Sequence, residues 1–256
     1  MQLIDTHAHL YQEEFNTDID LILENCKKNG VEQILIPNVD AQSWPQMIQL
    51  NQKYPQQTKM MLGIHPCYVQ ADYSDLLTQM KANFTHQNYI AIGEIGIDLY
   101  WDKSTLQIQQ DAFVEQIRWA KEVKLPIVIH ARESFNEIFE ILDQEINQDL
   151  KGVFHCFTGG ETERDKILTY PNFYFGIGGV LTYKKSNLPT VIPKIPNELL
   201  VLETDAPYLS PVPHRGKRNE PNHLLHTAQK LAEIKNLSLQ EIAKITTQNA
   251  QKLFGI

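Results

Sequence analysis

Tyr89-Ile90-Ala91-Ile92-Gly93-Glu94-Ile95-Gly96-Ile97-Asp98 is followed by apolar positions at Ile108, Phe113, Ile117, Ala120 and Val123, and then by Pro126-Ile127-Val128-Ile129-His130-Ala131-Arg132. The first and last of these segments are β-branched apolar runs of strand length that close on polar residues. The middle one spaces its apolar residues as one face of a helix and stops before a proline. Further strand-like runs lie at Leu3–His9, Val31–Val39, Lys59–His65, Gly152–Phe157, Phe173–Gly179 and Leu199–Asp205. Ile19, Leu21, Ile22, Leu23 and Cys26 form another helical face, which stops at Asn29-Gly30. Successive runs begin about 20 to 35 residues apart, room for one strand, one helix and two loops. Eight such units predict an α/β fold, a (β/α)8 TIM barrel, with residues 1–256 forming a single domain. The seventh unit is the weakest, because Lys184-Lys185-Ser186-Asn187-Leu188-Pro189 and Pro193 interrupt its helix.

Composition narrows the function classes. The chain has 256 residues, 42% of them hydrophobic, which suffices for a large core, and no Gly/Ser- or Pro-rich linker divides it. No apolar run is long enough for a membrane helix, and Met1-Gln2-Leu3-Ile4-Asp5-Thr6-His7 lacks the basic start of a signal peptide, so a soluble, cytoplasmic protein is expected. Cys26, Cys67 and Cys156 are an odd, scattered set that forms neither a disulfide framework nor a Cys-x-x-Cys zinc site. The net charge of −8 argues against a broad basic face that coats nucleic acid, while leaving room for a small phosphate-binding site.

Five of the nine histidines close strand-like runs: His7 and His9 the first, His65 the third, His130 the fifth and His155 the sixth. Glu94 on the fourth and Asp205 on the eighth join them. In a barrel these ends converge on one face. Each residue alone has a plainer reading. His7-x-His9 could be two hydrogen-bonded histidines at the barrel mouth, Glu94 a buried carboxylate paired with an arginine, His130 and His155 donors to backbone, and Asp205 a helix cap before Ala206-Pro207. Their coincidence at one end of five strands points instead to a joint metal site. Six ligands exceed what one catalytic ion with an open position takes, so two ions are expected. His7, His9 and Asp205 are assigned to one, His130 and His155 to the other, and Glu94 bridges them. A water between two cations ionises near neutral pH and becomes a nucleophile, and Asp205 is the base for its proton.

With those residues in place, the sequence resembles the TatD family of metal-dependent deoxyribonucleases, among the amidohydrolase-like barrels. The resemblance runs end to end through Asp5-Thr6-His7-Ala8-His9-Leu10, Gly63-Ile64-His65-Pro66, Gly93-Glu94-Ile95-Gly96-Ile97-Asp98, Pro126 to Arg132, His155-Cys156-Phe157-Thr158-Gly159, Glu203-Thr204-Asp205-Ala206-Pro207 and Arg215-Gly216-Lys217-Arg218-Asn219-Glu220-Pro221. Ala8 and Thr158 depart from residues common in the family, cysteine and serine. The resemblance implies a barrel, a two-metal site on His7, His9, Glu94, His130, His155 and Asp205, and hydrolysis of DNA phosphodiesters inward from a 3′ end, as a 3′-5′ exonuclease does. A related activity on misacylated tRNA is also associated with the family.

Other residues carry weaker expectations. His65 could meet a substrate phosphate or donate to a ligand, or simply cap a strand. Arg132, two residues past His130, could take a phosphate bidentately or pair with a carboxylate. Glu203, two before Asp205, is expected to support a ligand rather than bind metal. Pro207 to Pro221 reads as a long loop over the C-terminal end of the barrel, and its Arg215 is a candidate phosphate contact. Tyr68, Tyr100, Trp101 and Tyr208 follow strand ends and could stack an unpaired base, while Phe113 and Trp119 read as core.

The reading favoured is a monomeric or weakly oligomeric metal-dependent deoxyribonuclease that takes single-stranded DNA or 3′ ends, without membrane association. Its two divalent ions are drawn from zinc, manganese, iron or magnesium. The alternatives are an amidohydrolase acting on esters or amides with the same metals, and a non-catalytic metal-binding barrel, which predicts a missing ligand where none is missing.

Overall fold

The structure, a computed structural model, describes residues 1–256. Eight strands form one sheet in sequential order, every neighbouring pair parallel. They are β1 (Leu3–Asp5), β2 (Val31–Pro37), β3 (Thr58–Leu62), β4 (Tyr89–Asp98), β5 (Ile127–Arg132), β6 (Gly152–Phe154), β7 (Phe173–Ile177) and β8 (Leu200–Leu202). The helices are α1 (Ile19–Lys28), α2 (Ser43–Lys53), α3 (Tyr73–Asn83), α4 (Leu106–Val123), α5 (Phe135–Glu145), α6 (Glu161–Ile167), α7 (Leu188–Val191), α8 (Leu224–Lys235) and α9 (Leu239–Phe254). This is a single-domain α/β barrel of TIM type. In the seventh unit the interrupted pattern leaves α7 only 4 residues long, between short 3-10 turns.

The sheet closes just beyond β1 and β8. Thr6 N donates to Leu202 O at 3.0 Å, Asp205 N to His7 O at 2.8 Å and His9 N to Ala206 O at 2.7 Å. The metal-ligand candidates of the first and last strands are thereby tied to each other's backbone.

Two separate cores explain how the strands aim their ends. The smaller takes one residue from every strand, Ile4, Leu35, Met61, Ala91, Val128, Val153, Tyr174 and Val201, with Ala250, Leu253 and Phe254 of α9. Eight residues from eight strands can meet one another only inside the barrel, so α9 plugs the end where the strands begin. The larger core, 56 residues that include Ile92, Ile95, Ile129 and Phe154, lies between sheet and helices. Stepping by two from the inner layer leads to the mouth: Val128 to His130 and Arg132, Val153 to His155, Val201 to Glu203 and Asp205, Met61 to Gly63 and His65.

Two strands break that phase. The β4–β5 register shifts between Ile92 and Ile95, which places one extra residue in β4, and Glu94, three residues beyond the inner-layer Ala91, reaches the mouth this way. His7 and His9, three and five residues beyond the inner-layer Ile4, lie past the end of β1 at Asp5. The glycines flanking Glu94 allow β4 and β5 to press together. A Cβ on Gly93 would sit 2.6 Å from Val128 Cβ, and Gly96, at φ +142°, would carry one 2.1 Å from the His130 carbonyl oxygen.

Six expected strands end earlier than their sequence runs, at Asp5, Pro37, Leu62, Phe154, Ile177 and Leu202. The residues beyond belong to loops that turn over the mouth, and Cys156 and Asp205 adopt left-handed backbone, φ 44° and 59°. Such conformations cost about 1–3 kcal/mol in non-glycine residues and tend to gather where a site fixes a side chain's direction.

Candidate metal centre

All six proposed ligands meet at the barrel mouth, and Glu94 is their common neighbour. Its Oε2 lies 3.1 Å from His7 Nε2 and 3.7 Å from His9 Nε2. Its Oε1 lies 2.9 Å from His130 Nδ1, 3.4 Å from His155 Nε2 and 3.5 Å from His65 Nε2. Asp205 Oδ1 completes the first set, 3.4 Å from His9 Nε2 and 3.9 Å from His7 Nε2. The side chains thus fall into two groups on opposite oxygens of one buried carboxylate.

Hydrogen bonds behind the rings fix which nitrogen faces inward. Tyr11 donates its hydroxyl proton to Pro37 O at 2.8 Å, so its oxygen accepts from His9 Nδ1 at 3.0 Å, and His9 Nε2 carries the lone pair. Asp98 Oδ2 accepts from His130 Nε2 at 2.8 Å and turns Nδ1 toward Glu94. Glu203 Oε1 lies within ion-pair distance of His155 Nδ1, 3.1 Å, without a hydrogen bond between them, and accepts from Cys156 N. Carboxylates or hydroxyls gripping the far nitrogen are the usual support of a metal-binding imidazole.

This arrangement fits divalent cations. The His9 and His130 rings are held by their far nitrogens so that the other nitrogen faces a carboxylate, and His7 Nε2 stands only 3.3 Å from His9 Nε2. Lone pairs facing lone pairs and an anion repel unless a positive charge lies between them. His7 Nδ1 and His155 Nδ1 are in addition buried with no hydrogen-bond partner. His7, His9 and Glu94, and separately His65, Glu94 and His130, each bring three donor atoms close enough to share one ion; His7, His155 and Glu203 form a third such group. Two candidate divalent-metal sites therefore flank Glu94, with imidazole and carboxylate donors of the kind zinc, manganese and iron accept.

Electrostatics follow the same pattern. Burial would raise the Glu94 carboxyl, but His65, His7 and His155 hold it well below the ordinary carboxylate range. Burial would lower His155, yet the Glu203 and Glu94 carboxylates push it up to about 10. His7 is lowered by burial and by His155, and burial takes His65 down to about 3. Asp205 stays below its usual value because His9 and His155 outweigh its burial. Its carboxylate is therefore ionised at neutral pH.

A cavity of about 890 Å³ opens over the centre, lined by His9, His65, Glu94, His130, His155 and Asp205 together with Arg132, Tyr68, Trp101 and Tyr208. Arg132 stacks on Tyr100, 3.7 Å from guanidinium carbon to ring centroid, and lies 5.5 Å from the Trp101 ring. Trp101 is 71% exposed, the most accessible of the large hydrophobic residues. Phe113 and Trp119 are buried core residues, as their helical spacing predicts.

The basic loop is differently disposed. Arg215 lies over the Tyr183 ring at 3.9 Å and is not among the residues lining the cavity. Arg218 is held by Asp18 at 2.6 Å and Glu220 at 2.9 Å and donates to the Glu14 carbonyl. His65 stands within the second donor group, with its Nε2 3.2 Å from His130 Nδ1, rather than at the rim. Sequence reading gave no role to Asp98, Tyr11 or Asp5. Asp98 lies an even number of residues beyond Glu94 on the same strand, a period-two signal that was available. Asp5 accepts from His7 N at 3.2 Å and from Thr204 N at 2.9 Å, fastening the two closing strands together.

Comparison with known proteins agrees with this architecture. The chain is 39% identical over 255 residues to the uncharacterized metal-dependent hydrolase YabD of Bacillus subtilis, covering 99% of each chain. It is 30% identical over 262 residues to the uncharacterized metal-dependent hydrolase YcfH of Escherichia coli K12, covering 100% of this chain and 97% of that one. Among solved structures, the TatD homolog YJJV from Escherichia coli K12 superposes with a TM-score of 0.91 at 29% identity, covering 99% of this chain and 98% of that one. A TatD family hydrolase from Entamoeba histolytica gives 0.84 at 25% identity, with 99% and 98% covered. The family profile described as TatD related DNase matches residues 4–255, and the chain belongs to the TatD family of metal-dependent hydrolases.

Proposed function

We propose that this metal-dependent hydrolase is a deoxyribonuclease that cleaves phosphodiesters inward from the 3′ end of a single strand or frayed duplex. The observation that carries the proposal is the Glu94 carboxyl shared between two imidazole groups, at the floor of a cavity whose rim holds a stacked arginine. His7, His9 and Asp205 would hold one cation, His130 and His155 the other, and Glu94 both. When bound, the pair supplies charge to polarise a phosphoryl oxygen and to lower the pKa of water.

The chain's own residues do the rest. Asp205, ionised and open to the cavity, accepts the proton of the attacking water. Its left-handed backbone and the bond from its N–H to His7 O fix the direction of the carboxyl. Arg132 meets a phosphate with its planar fork while its face rests on Tyr100. Tyr68, Trp101 and Tyr208, each about half exposed or more, offer faces to unpaired bases. A net charge of −8 disfavours a long duplex contact and suits a footprint of a few nucleotides.

The test is an end-labelled oligonucleotide incubated with chain reconstituted in zinc, manganese or magnesium. Stepwise shortening from the 3′ end, abolished by Asp205→Asn, is expected. DNA left intact while the same variant abolishes hydrolysis of a small ester assigns the centre to ester or amide substrates instead. Elemental analysis should find two ions per chain, and Glu94→Gln should lower that content.

A further inference from the structure

Two arginines near the barrel mouth each lie flat on a tyrosine. Arg132, at the end of β5, covers Tyr100 of the loop after β4, 3.7 Å from guanidinium carbon to ring centroid. Arg215, in the loop after β8, covers Tyr183 of the loop after β7 at 3.9 Å. With eight strands in sequential order, β4 and β8 face each other across the barrel, so the loops that follow them flank the cavity from opposite sides. Arg132 lines that cavity, whereas Arg215 stands outside it, although Val180 and Leu209 of the same two loops line its wall.

The loops after β7 and β8 are fastened to each other. Tyr183 donates its hydroxyl proton to Ser210 O at 3.0 Å, Val212 N donates to Thr182 Oγ1 at 2.8 Å, and the Ser210 hydroxyl donates to the Lys217 carbonyl. No Asp or Glu occurs between Lys166 and Asn197 or between Ala206 and Asn219, in a chain whose net charge is −8. Lys184, Lys185, Arg215 and Lys217 are exposed on these segments, and none of them pairs with a carboxylate. Their basic neighbours are spent differently: Lys166 on Asp143, Lys194 on Glu161 and Arg218 on Asp18. A charge run is ordinarily a solvated face. Here the cations sit on pinned loops beside the cavity, and the ring beneath Arg215 leaves the guanidinium edge free to meet oxygens.

We propose that Lys184, Lys185, Arg215 and Lys217 form a phosphate track for the part of a single DNA strand that lies 5′ of the bond being cut. This track rests on the deoxyribonuclease reading above and extends it. With the 3′ end over Glu94, the strand leaves the cavity across the loops after β7 and β8. Arg132 then meets a phosphate beside the reacting bond, and Arg215 one further upstream. The contacts are to the backbone, so they favour longer strands without selecting a sequence. Confining positive potential to the exit side also lets an acidic protein hold a polyanion.

The test is fluorescence anisotropy of labelled, phosphorothioate-linked dinucleotide and dodecanucleotide, titrated with the metal-loaded chain over a range of salt. For the wild type, the log–log salt slope should be steeper for the dodecanucleotide by about 2 to 3, as four single-strand contacts of about 0.7 each require. In the K184Q/K185Q/R215Q/K217Q variant that extra slope should vanish, and the affinity ratio of long to short strand should fall about tenfold or more. A variant that loses no more for the dodecanucleotide than for the dinucleotide, while the wild type still shortens DNA from its 3′ end, overturns the track and leaves the deoxyribonuclease reading standing. A wild type that binds neither oligonucleotide overturns both. Comparing the wild type's own two slopes makes the result independent of how the variant folds, and equal slopes for the two lengths overturn the track.

Discussion

Asp98 Oδ2 lies 2.8 Å from His130 Nε2, so His130 has only Nδ1 to present to Glu94, 2.9 Å away. An asparagine at this position could offer its NH2 to Nε2 as readily as its carbonyl, and the imidazole proton would then sit on the nitrogen that faces the centre. Asp98→Asn is therefore expected to weaken metal binding about 10- to 100-fold, with a parallel loss of turnover. Isothermal titration of stripped protein with zinc or manganese checks it. Unchanged affinity would mean that Asp98 does not orient His130.

The barrel's alternation shows how much of the site could be read in advance. From a buried Val128, Val153 or Val201, a step of two reaches His130, His155 or Glu203 and on to Asp205, which is why the strand-end histidines and Asp205 stood out as one face. Glu94 reaches that face through the register shift in β4, which no one-dimensional pattern displays, and His7 and His9 through the segment that follows β1. They were found by their place in and at the ends of strand-like runs instead. The stacking of Arg215 on Tyr183 and the tethering of Arg218 to Asp18 join residues far apart in sequence and left no local signal.

The close approach of β4 to β5 makes Gly96 the backbone position most sensitive to substitution near the centre. A methyl group there would meet a carbonyl oxygen, which cannot rotate away, on a backbone with φ +142°. Overpacking typically costs about 1–3 kcal/mol, and the positive φ adds to it. Gly96→Ala should lose about 3 kcal/mol or more in urea unfolding. A loss of less than about 1 kcal/mol would indicate that the strand relaxes freely around His130.

The tether of the basic loop carries a pH signature. Hydrogen bonds from Arg218 hold the Asp18 carboxyl below its ordinary value against a small opposing effect of burial. A carboxylate with a depressed folded pKa stabilises the fold above its unfolded value, about 3.9. That contribution is lost as pH falls through the folded value. Asp18→Asn should thus lower Tm modestly at pH 7, and the gap to wild type should close on acidification below pH about 4. A gap that persists in acid would assign the effect to packing rather than to the ion pair. The partial exposure of both side chains keeps the effect small and makes it shrink in high salt.

Arg132 separates phosphate recognition from simple attraction by positive charge. Its guanidinium lies flat over Tyr100, which leaves its edge free to meet two oxygens of one phosphate. Lysine keeps the charge but has neither the fork nor the stacking face. If the arginine grips a phosphate, Arg132→Lys should raise KM for an oligonucleotide about tenfold, equivalent to about 1.4 kcal/mol. Arg132→Met should raise it further and flatten the dependence of KM on salt, because one phosphate contact fewer releases fewer counterions. If lysine performs as well as arginine, the residue contributes only to the field. Should neither variant alter KM while both lower kcat, the guanidinium would act on charge that develops during bond breaking, and its contact would be with the scissile phosphate in the transition state.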